Sequence, residues 1–267
     1  MDIEKMVNSK WYQIFEWGYR LLFLNLLSIA VPSLLAFLPF IFWYFHQDSG
    51  WLMLLTIVLW GFGFLPCFIA AFSVIKDYRE DKTGNVFAMF FISLWKTFKD
   101  VYKLDLIITA IIGAGGVGAI FYWDILAEYE TIGPDSGTAA TVIFIVSVVG
   151  FVILFFLILA IFLAILQLPM IVANFRMKTK DLIKFSLYMA FRYFFKTLAY
   201  AFLIIGPIAL VGIFQSRVLP IYMLYGISLP LFGIYLISRQ QYWHLSHNLE
   251  NLKAEIESKG EKNETGN

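Results

Sequence analysis

The sequence predicts an all-α polytopic membrane protein: six transmembrane helices, two cytoplasmic-side amphipathic helices and a parallel internal repeat. Three observations carry this reading. Of the 267 residues, 60% are hydrophobic and 15% charged, with a mean hydropathy of +0.76. Soluble domains have roughly 45–50% and 25%, so a soluble chain of this composition would expose large apolar patches, and the bilayer is the fitting solvent. The apolar residues gather into six runs of spanning length, about 20 residues each. Finally, nineteen of the 20 Lys and Arg residues fall in alternate segments between those runs, which fixes an orientation.

Taken in order, residues 1–20 place Trp11, Ile14, Phe15 and Trp17 beside Glu16 and Arg20, one helical turn apart. That pattern predicts a short interfacial helix with indole rings at headgroup level. Lys5, Lys10 and Arg20 precede an apolar run longer than a signal-peptide core, without a small-x-small cleavage site, so the first span is expected to be retained. Spans follow at about Leu21–Phe45, Trp51–Ile75, Leu104–Trp123, Ala139–Leu168, Leu198–Phe214 and Leu219–Ser238. The fourth is long enough to require tilt or an interfacial start. Little more than Gln215-Ser216-Arg217 separates the last two, giving a tight hairpin, and Gly206-Pro207 and Pro230 are expected to bend them.

The basic clusters are Lys5, Lys10 and Arg20; Lys76, Arg79, Lys82, Lys96, Lys99 and Lys103; Arg176, Lys178, Lys180, Lys184, Arg192 and Lys196; and Arg239, Lys253, Lys259 and Lys262. Only Arg217 lies on the other face. Positive residues stay inside, so both termini are expected to be cytoplasmic. The outer loops carry Asp48, Asp124, Glu128, Glu130 and Asp135, which read as the mere absence of Lys and Arg. Trp11, Trp17, Trp95 and Trp243 fall at inner boundaries and Trp43, Trp51 and Trp123 at outer ones. Trp60, well inside span two, reads as packing. Past Ser238, Tyr242, Leu245, Leu249, Leu252 and Ile256 form a seam of about two heptads, which docks on the inner face or pairs with another copy of the chain. Residues 1–257 are thus one integral membrane domain, and 258–267 a polar, disordered cytoplasmic tail.

The repeat has units of about 51–123 and 139–214. Leu65-Pro66-Cys67-Phe68-Ile69-Ala70-Ala71-Phe72 aligns with Leu168-Pro169-Met170-Ile171-Val172-Ala173-Asn174-Phe175, and after a three-residue gap Met89, Phe91, Lys96 and Thr97 align with Met189, Phe191, Lys196 and Thr197. Both copies cross in the same sense, so the repeat is parallel. Each Leu-Pro stretch leads through a basic turn into an amphipathic segment. The first has the stripe Phe87, Phe91, Leu94, Phe98 and Tyr102 with Lys96, Lys99 and Lys103 on another face; the second has Ile183, Leu187, Phe191, Phe194 and Leu198 with Lys184, Arg192 and Lys196. Such segments suit the headgroup layer of the lipid bilayer or the docking of another protein, and those six cations are the candidate inner-face site. Basic residues that hug the bilayer make nucleic acid an improbable partner.

Chemistry is sparse. Hydrolytic motifs and a Walker loop are missing, no catalytic residue, metal or cofactor is expected, and the chain reads as a non-enzyme. Cys67 is the single cysteine, a small buried hydrophobe. His244 and His247 with Glu250 offer two imidazoles and no defined third ligand. Gly113-Ala114-Gly115-Gly116-Val117-Gly118 lies within span three and reads as a surface for close helix approach. Asp105, near the inner end of span three, is expected to be interfacial, reaching Lys103 or headgroups. Asn25, Thr56, Ser147, Gln167 and Asn174 can make hydrogen bonds between helices.

Lys10-Trp11-Tyr12 through Glu16-Trp17-x-x-Arg20-Leu21-x-x-Leu24-Asn25-Leu26-Leu27, then Gly63-Phe64-Leu65-Pro66, Lys76 and Phe90 to Phe98, resemble the YesL-like family of bacterial membrane proteins, whose molecular activity is not established. The likeness covers most of the chain and is most specific before residue 105. A longer apolar hairpin around His46-Gln47-Asp48-Ser49-Gly50 departs from the family pattern. Family members occur beside genes for carbohydrate uptake transporters and glycoside hydrolases. The resemblance therefore implies an accessory role in carbohydrate uptake, with transporter components as partners; the alternative from the repeat and the bent spans is a small-solute transporter or channel.

Overall fold

The computed structural model describes residues 10–47, 49–80, 82, 84–132, 138–214 and 217–245, and every regular element among them is helical. The helices are α1 (Lys10–Phe45), α2 (Gly50–Arg79), α3 (Val86–Ile132), α4 (Thr138–Asn174), α5 (Thr179–Arg192), α6 (Phe194–Phe214), α7 (Leu219–Tyr225) and α8 (Ser228–Leu245). Five of them, α1–α4 and α6, are long and apolar enough to cross a membrane, and α7 with α8, bent by 52°, makes a sixth when counted as one. The chain is a multi-pass membrane protein. Prolines sit inside α1, α2, α4 and α6 without ending them. In hydrocarbon no water can replace a lost backbone hydrogen bond, so the helix is retained around each proline.

Two expected boundaries do not exist. The amino-terminal interfacial segment is continuous with the first span in α1, and the aromatic segment from Phe87 to Lys103 is continuous with the third span in α3. No helix breaker stands between Lys103 and Leu104, so the change from charged to apolar sequence marks a change of surroundings and not of backbone. At 47 residues α3 is about 70 Å long, more than twice a hydrocarbon core of about 30 Å. The second aromatic segment does form a separate helix, α5, because Tyr193 leaves helical geometry at φ −112°, ψ 42°.

The core lies where the two Leu-Pro stretches pass through the bundle. Leu65 to Phe72 is buried throughout, Leu168 to Ile171 is buried, and Leu24 of α1 and Leu231 of α8 close over them. Burial from water would be worth about 1.5–3 kcal/mol for each such side chain. In a bilayer the competing surroundings are lipid tails, so the gain is chiefly close contact. Gly63 permits it: a Cβ there would stand 2.7 Å from Leu35 Cδ1 and 3.1 Å from Pro32 Cα of α1.

The α7–α8 pair bends at Gly226-Ile227, not at Pro230, which sits in the first turn of α8 where a missing N–H is harmless. A Cβ on Gly226 would lie 2.6 Å from the Tyr222 carbonyl oxygen, so the bend admits no side chain there. Asn25 of α1 supplies what the break leaves open. Its Nδ2 donates to the Met223 carbonyl at 2.7 Å, and its Oδ1 accepts from the Ile227 and Ser228 amides at 2.6 and 3.1 Å.

Candidate functional site

One end of the bundle gathers the basic turns. Lys96, Lys99 and Lys103 project from α3, Lys184 and Arg192 from α5, and Lys196 from α6, and all six are exposed. None of the six forms an ion pair among the described residues. Four of them lie beside rings instead: Lys99 Nζ is 4.8 Å from the Trp95 ring centre and Lys103 Nζ 5.7 Å from that of Tyr102. Arg192 Cζ is 5.5 Å from the Tyr188 ring and donates to its hydroxyl, and Lys196 Nζ is 5.7 Å from Tyr193. A cation held over a ring keeps its charge available to an anion. No hydrogen bond or ion pair among the described residues joins the α3 group to the α5–α6 group.

The aromatic stripes are only partly the faces on which these segments pack: Phe87 meets Phe23 of α1 at 4.9 Å and Phe98 meets Phe62 of α2 at 5.9 Å. Phe87, Phe91 and Tyr102 are exposed, while Val86, Phe90, Thr97, Val101 and Leu104 face inward. In the second copy Phe191, Phe194 and Leu198 are exposed, and Leu182, Ser186, Met189, Ala190 and Thr197 are buried. Each segment therefore has two apolar faces, one on the protein and one left for lipid or a partner.

Gln167 and Asn174 hold the second copy together from inside. Gln167 Nε2 donates to Thr197 Oγ1 at 2.6 Å and its Oε1 accepts from the Tyr242 hydroxyl at 3.0 Å. The Thr197 hydroxyl in turn lies 3.1 Å from both the Ala190 and the Tyr193 carbonyls, the latter also accepting from the Thr197 amide at 2.9 Å, so it bridges the end of α5 and the start of α6. Asn174 Nδ2 donates to the Met170 carbonyl of its own helix, and its Oδ1 accepts from Lys76 Nζ at 2.8 Å. Lys76 also donates to the Ala173 carbonyl at 2.9 Å, so a cation of α2 caps the carboxy-terminal end of α4, where the helix dipole is negative. Thr56 donates to the Leu52 carbonyl of its own helix.

Sequence reasoning had no signal for what surrounds Lys76. A hollow of about 350 Å³ is lined by Lys76, Glu80, Asn174, Tyr235, Ser238, Arg239 and Tyr242, so residues distant in the chain form one polar basin. Beside it, Arg20 stacks 4.0 Å over the Tyr78 ring and pairs with Glu16, and Trp17 packs on Tyr78 and Phe232. Tyr78 donates to the Gly84 carbonyl at 2.8 Å and closes the turn after α2. In that turn Asp77 accepts from Lys82 at 2.6 Å and holds its ammonium above the ordinary range.

Three expectations for the membrane interior are corrected. Asp105 reaches neither Lys103 nor the surface: it is 1% exposed, and neither carboxyl oxygen has a hydrogen-bond partner among the described residues. It lies on the inward face with Val101 and Leu104, at the steps i, i+3, i+4 that the aromatic stripe concealed. Nor do the glycines of α3 share one task. Cβ atoms on Gly115 and Gly118 would stand 3.0 Å from Ile158 and 3.3 Å from Leu154 of α4, so these two serve close packing. Gly113 and Gly116 instead line an apolar crevice of about 500 Å³ between α2, α3 and α4, with Asp105 in its wall. Trp60, expected to be packing alone, lines the same crevice and stacks on Phe64 at 4.9 Å. Of the remaining candidates, Asp48, Glu130, Asp135, His247, Glu250 and the seam beyond Leu245 lie outside the described residues or side chains.

Comparison with known proteins gives no match to a family model, a curated protein or a solved structure. Fold and site therefore define the class by themselves: a multi-pass helical membrane protein with a basic, aromatic end, six of whose cations have no ion pair among the described residues, and an apolar crevice alongside its core.

Proposed function

We propose that the chain is a non-enzymatic accessory or regulatory component of the bacterial cytoplasmic membrane, associated with carbohydrate uptake. In this reading it crosses six times with both termini in the cytoplasm, and the first half of α3 together with α5 forms a paired inner-face layer descended from an internal repeat. The observation that carries it is the set of six exposed cations, Lys96, Lys99, Lys103, Lys184, Arg192 and Lys196, with no acidic partner among the described residues. Near an anionic surface each contributes about 1 kcal/mol, and the exposed rings beside them add an apolar contact. The resemblance to the YesL-like family supplies the link to carbohydrate uptake.

The test is affinity purification from bacterial membranes, with the native chain and with a variant carrying Gln at all six positions. Carbohydrate-transporter subunits are expected with the native chain and are expected to be lost with the variant. Absence of any stable partner, together with normal growth of a deletion strain on a sugar panel, sinks the proposal.

The crevice favours a second reading, a small-solute transporter or channel. Its walls argue against sugars and ions as cargo, because Asp105 is the one ionisable side chain on them and a polar solute needs a series of hydrogen-bonding groups. Flux of sugars or ions through reconstituted liposomes would reverse this ranking.

A further inference from the structure

We propose that the crevice between α2 and α3 binds a single-chain, long-chain amphiphile, its tail along the glycine face of α3 and its ammonium head paired with Asp105. The inference is independent of the docking role of the basic end. Crevice residues run from Asp105 to Ile120 on α3 and from Leu54 to Phe68 on α2. Fifteen residues of helix measure about 22 Å, which exceeds one leaflet of a core about 30 Å thick. The site therefore suits a long chain lying along the helices, and its volume is within the range of ligand pockets.

The space is not an accident of side-chain size. A Cβ on Gly116 would meet nothing within 4 Å, whereas its neighbours Gly115 and Gly118 are in close contact with α4. Trp60 stacked on Phe64 forms a flat apolar wall opposite. Ile57, Val117 and Ile120 at the rim are exposed, so the crevice opens to the surface of the bundle, while Leu65, Phe68 and Leu166 form its buried floor. An amphiphile in the bilayer can thus enter from the side without crossing water.

Asp105 sets the head group. An ionisable residue within a span carries a large cost unless something pairs with it. No described residue does so, and both carboxyl oxygens are buried. Asp105 lies at one end of the crevice, so a head paired with it leaves the tail running toward Ile120. An ammonium supplies both the charge and the donated hydrogen bonds. A sulfonate or phosphate head would meet like charge, which disfavours ordinary phospholipids, including those whose amine stands beyond a phosphate.

The experiment uses the full chain in phosphatidylcholine vesicles with a trace of diazirine-bearing octadecylamine or of the matched octadecyl sulfonate. After irradiation, adducts are mapped by peptide mass. The amine is expected to label residues 54–68 and 105–120 with about tenfold excess over the sulfonate, the scale of one charge-assisted hydrogen bond. Asp105→Asn is expected to abolish that excess. Gly116→Leu, which fills open space, is expected to lower labelling by both probes about tenfold while leaving the melting temperature unchanged. A tenfold molar excess of phosphatidylethanolamine is expected not to compete. Equal labelling by the two probes, an amine excess that survives Asp105→Asn, or displacement by phosphatidylethanolamine would each overturn the proposal.

Discussion

The stretch from Leu65 to Thr97 and the stretch from Leu168 to Thr197 share their landmark residues, yet they fold differently beyond them. The first runs into one helix of 47 residues; the second is divided at Tyr193 into α5 and α6. The divergence traces to the residue before each Leu-Pro pair. Gln167 reaches Thr197, whose hydroxyl bonds the carbonyls at the break, and Tyr242 completes the chain of bonds. Its counterpart is Phe64, which can only stack, on Trp60 and Phe68. In the first copy the helix stays whole, the rings line a crevice, and a carboxyl group in the wall is left without a partner. Polar groups stabilise one half of this protein and burden the other.

That contrast predicts effects of opposite sign, each readable as unfolding stability in detergent. Asn25→Leu should cost most, about 3 kcal/mol, since it strands two buried amides at the Gly226 bend as well as losing its own bonds. Gln167→Leu should cost about 2 kcal/mol by leaving Thr197 and Tyr242 short of a partner. Asp105→Leu should go the other way and stabilise by about 1–2 kcal/mol, raising the melting temperature by a few degrees. If it destabilises in detergent instead, the carboxyl has a partner within the bundle and the contrast fails. Lys76→Met should cost about 1 kcal/mol through the uncapped end of α4. The smallest effect, under about 0.5 kcal/mol, is expected for Thr97→Val, because α3 has no break to close there. A Thr97→Val penalty equal to that of Thr197→Val would remove the distinction between the copies.

The spans were legible because a bilayer leaves helices as the main solution for an apolar run, and Leu21 to Phe45 or Trp51 to Ile75 announce themselves by composition. Their continuity with the polar segments was not legible. Charge patterning reports where the chain meets headgroups, and α3 passes that level without interruption at Lys103 and Leu104. The break at Tyr193 involves neither glycine nor proline, so no local signal precedes it; the bond from Gln167 to Thr197 just beyond it spans thirty residues of sequence. Asp105 was misplaced for a related reason. Proximity to Lys103 in sequence was read as proximity to the interface, whereas the helical phase of Phe90, Thr97, Val101 and Leu104 turns it inward. The exposure of the six cations was legible from sequence alone because an exposed charge needs no partner to be recognised. The basin around Lys76 was not, since it exists only when α2, α4 and α8 are side by side.

Asn25 gives the molecule a sense of time. The amides it satisfies lie 202 and 203 residues further along the chain. At 5–20 residues per second, synthesis leaves an interval of about 10–40 s between the two ends of that contact. Throughout it the carboxamide of α1 waits inside the membrane, and when α7 and α8 emerge their broken backbone has no local remedy. The bend between α7 and α8 is therefore completed by a helix made about 200 residues earlier.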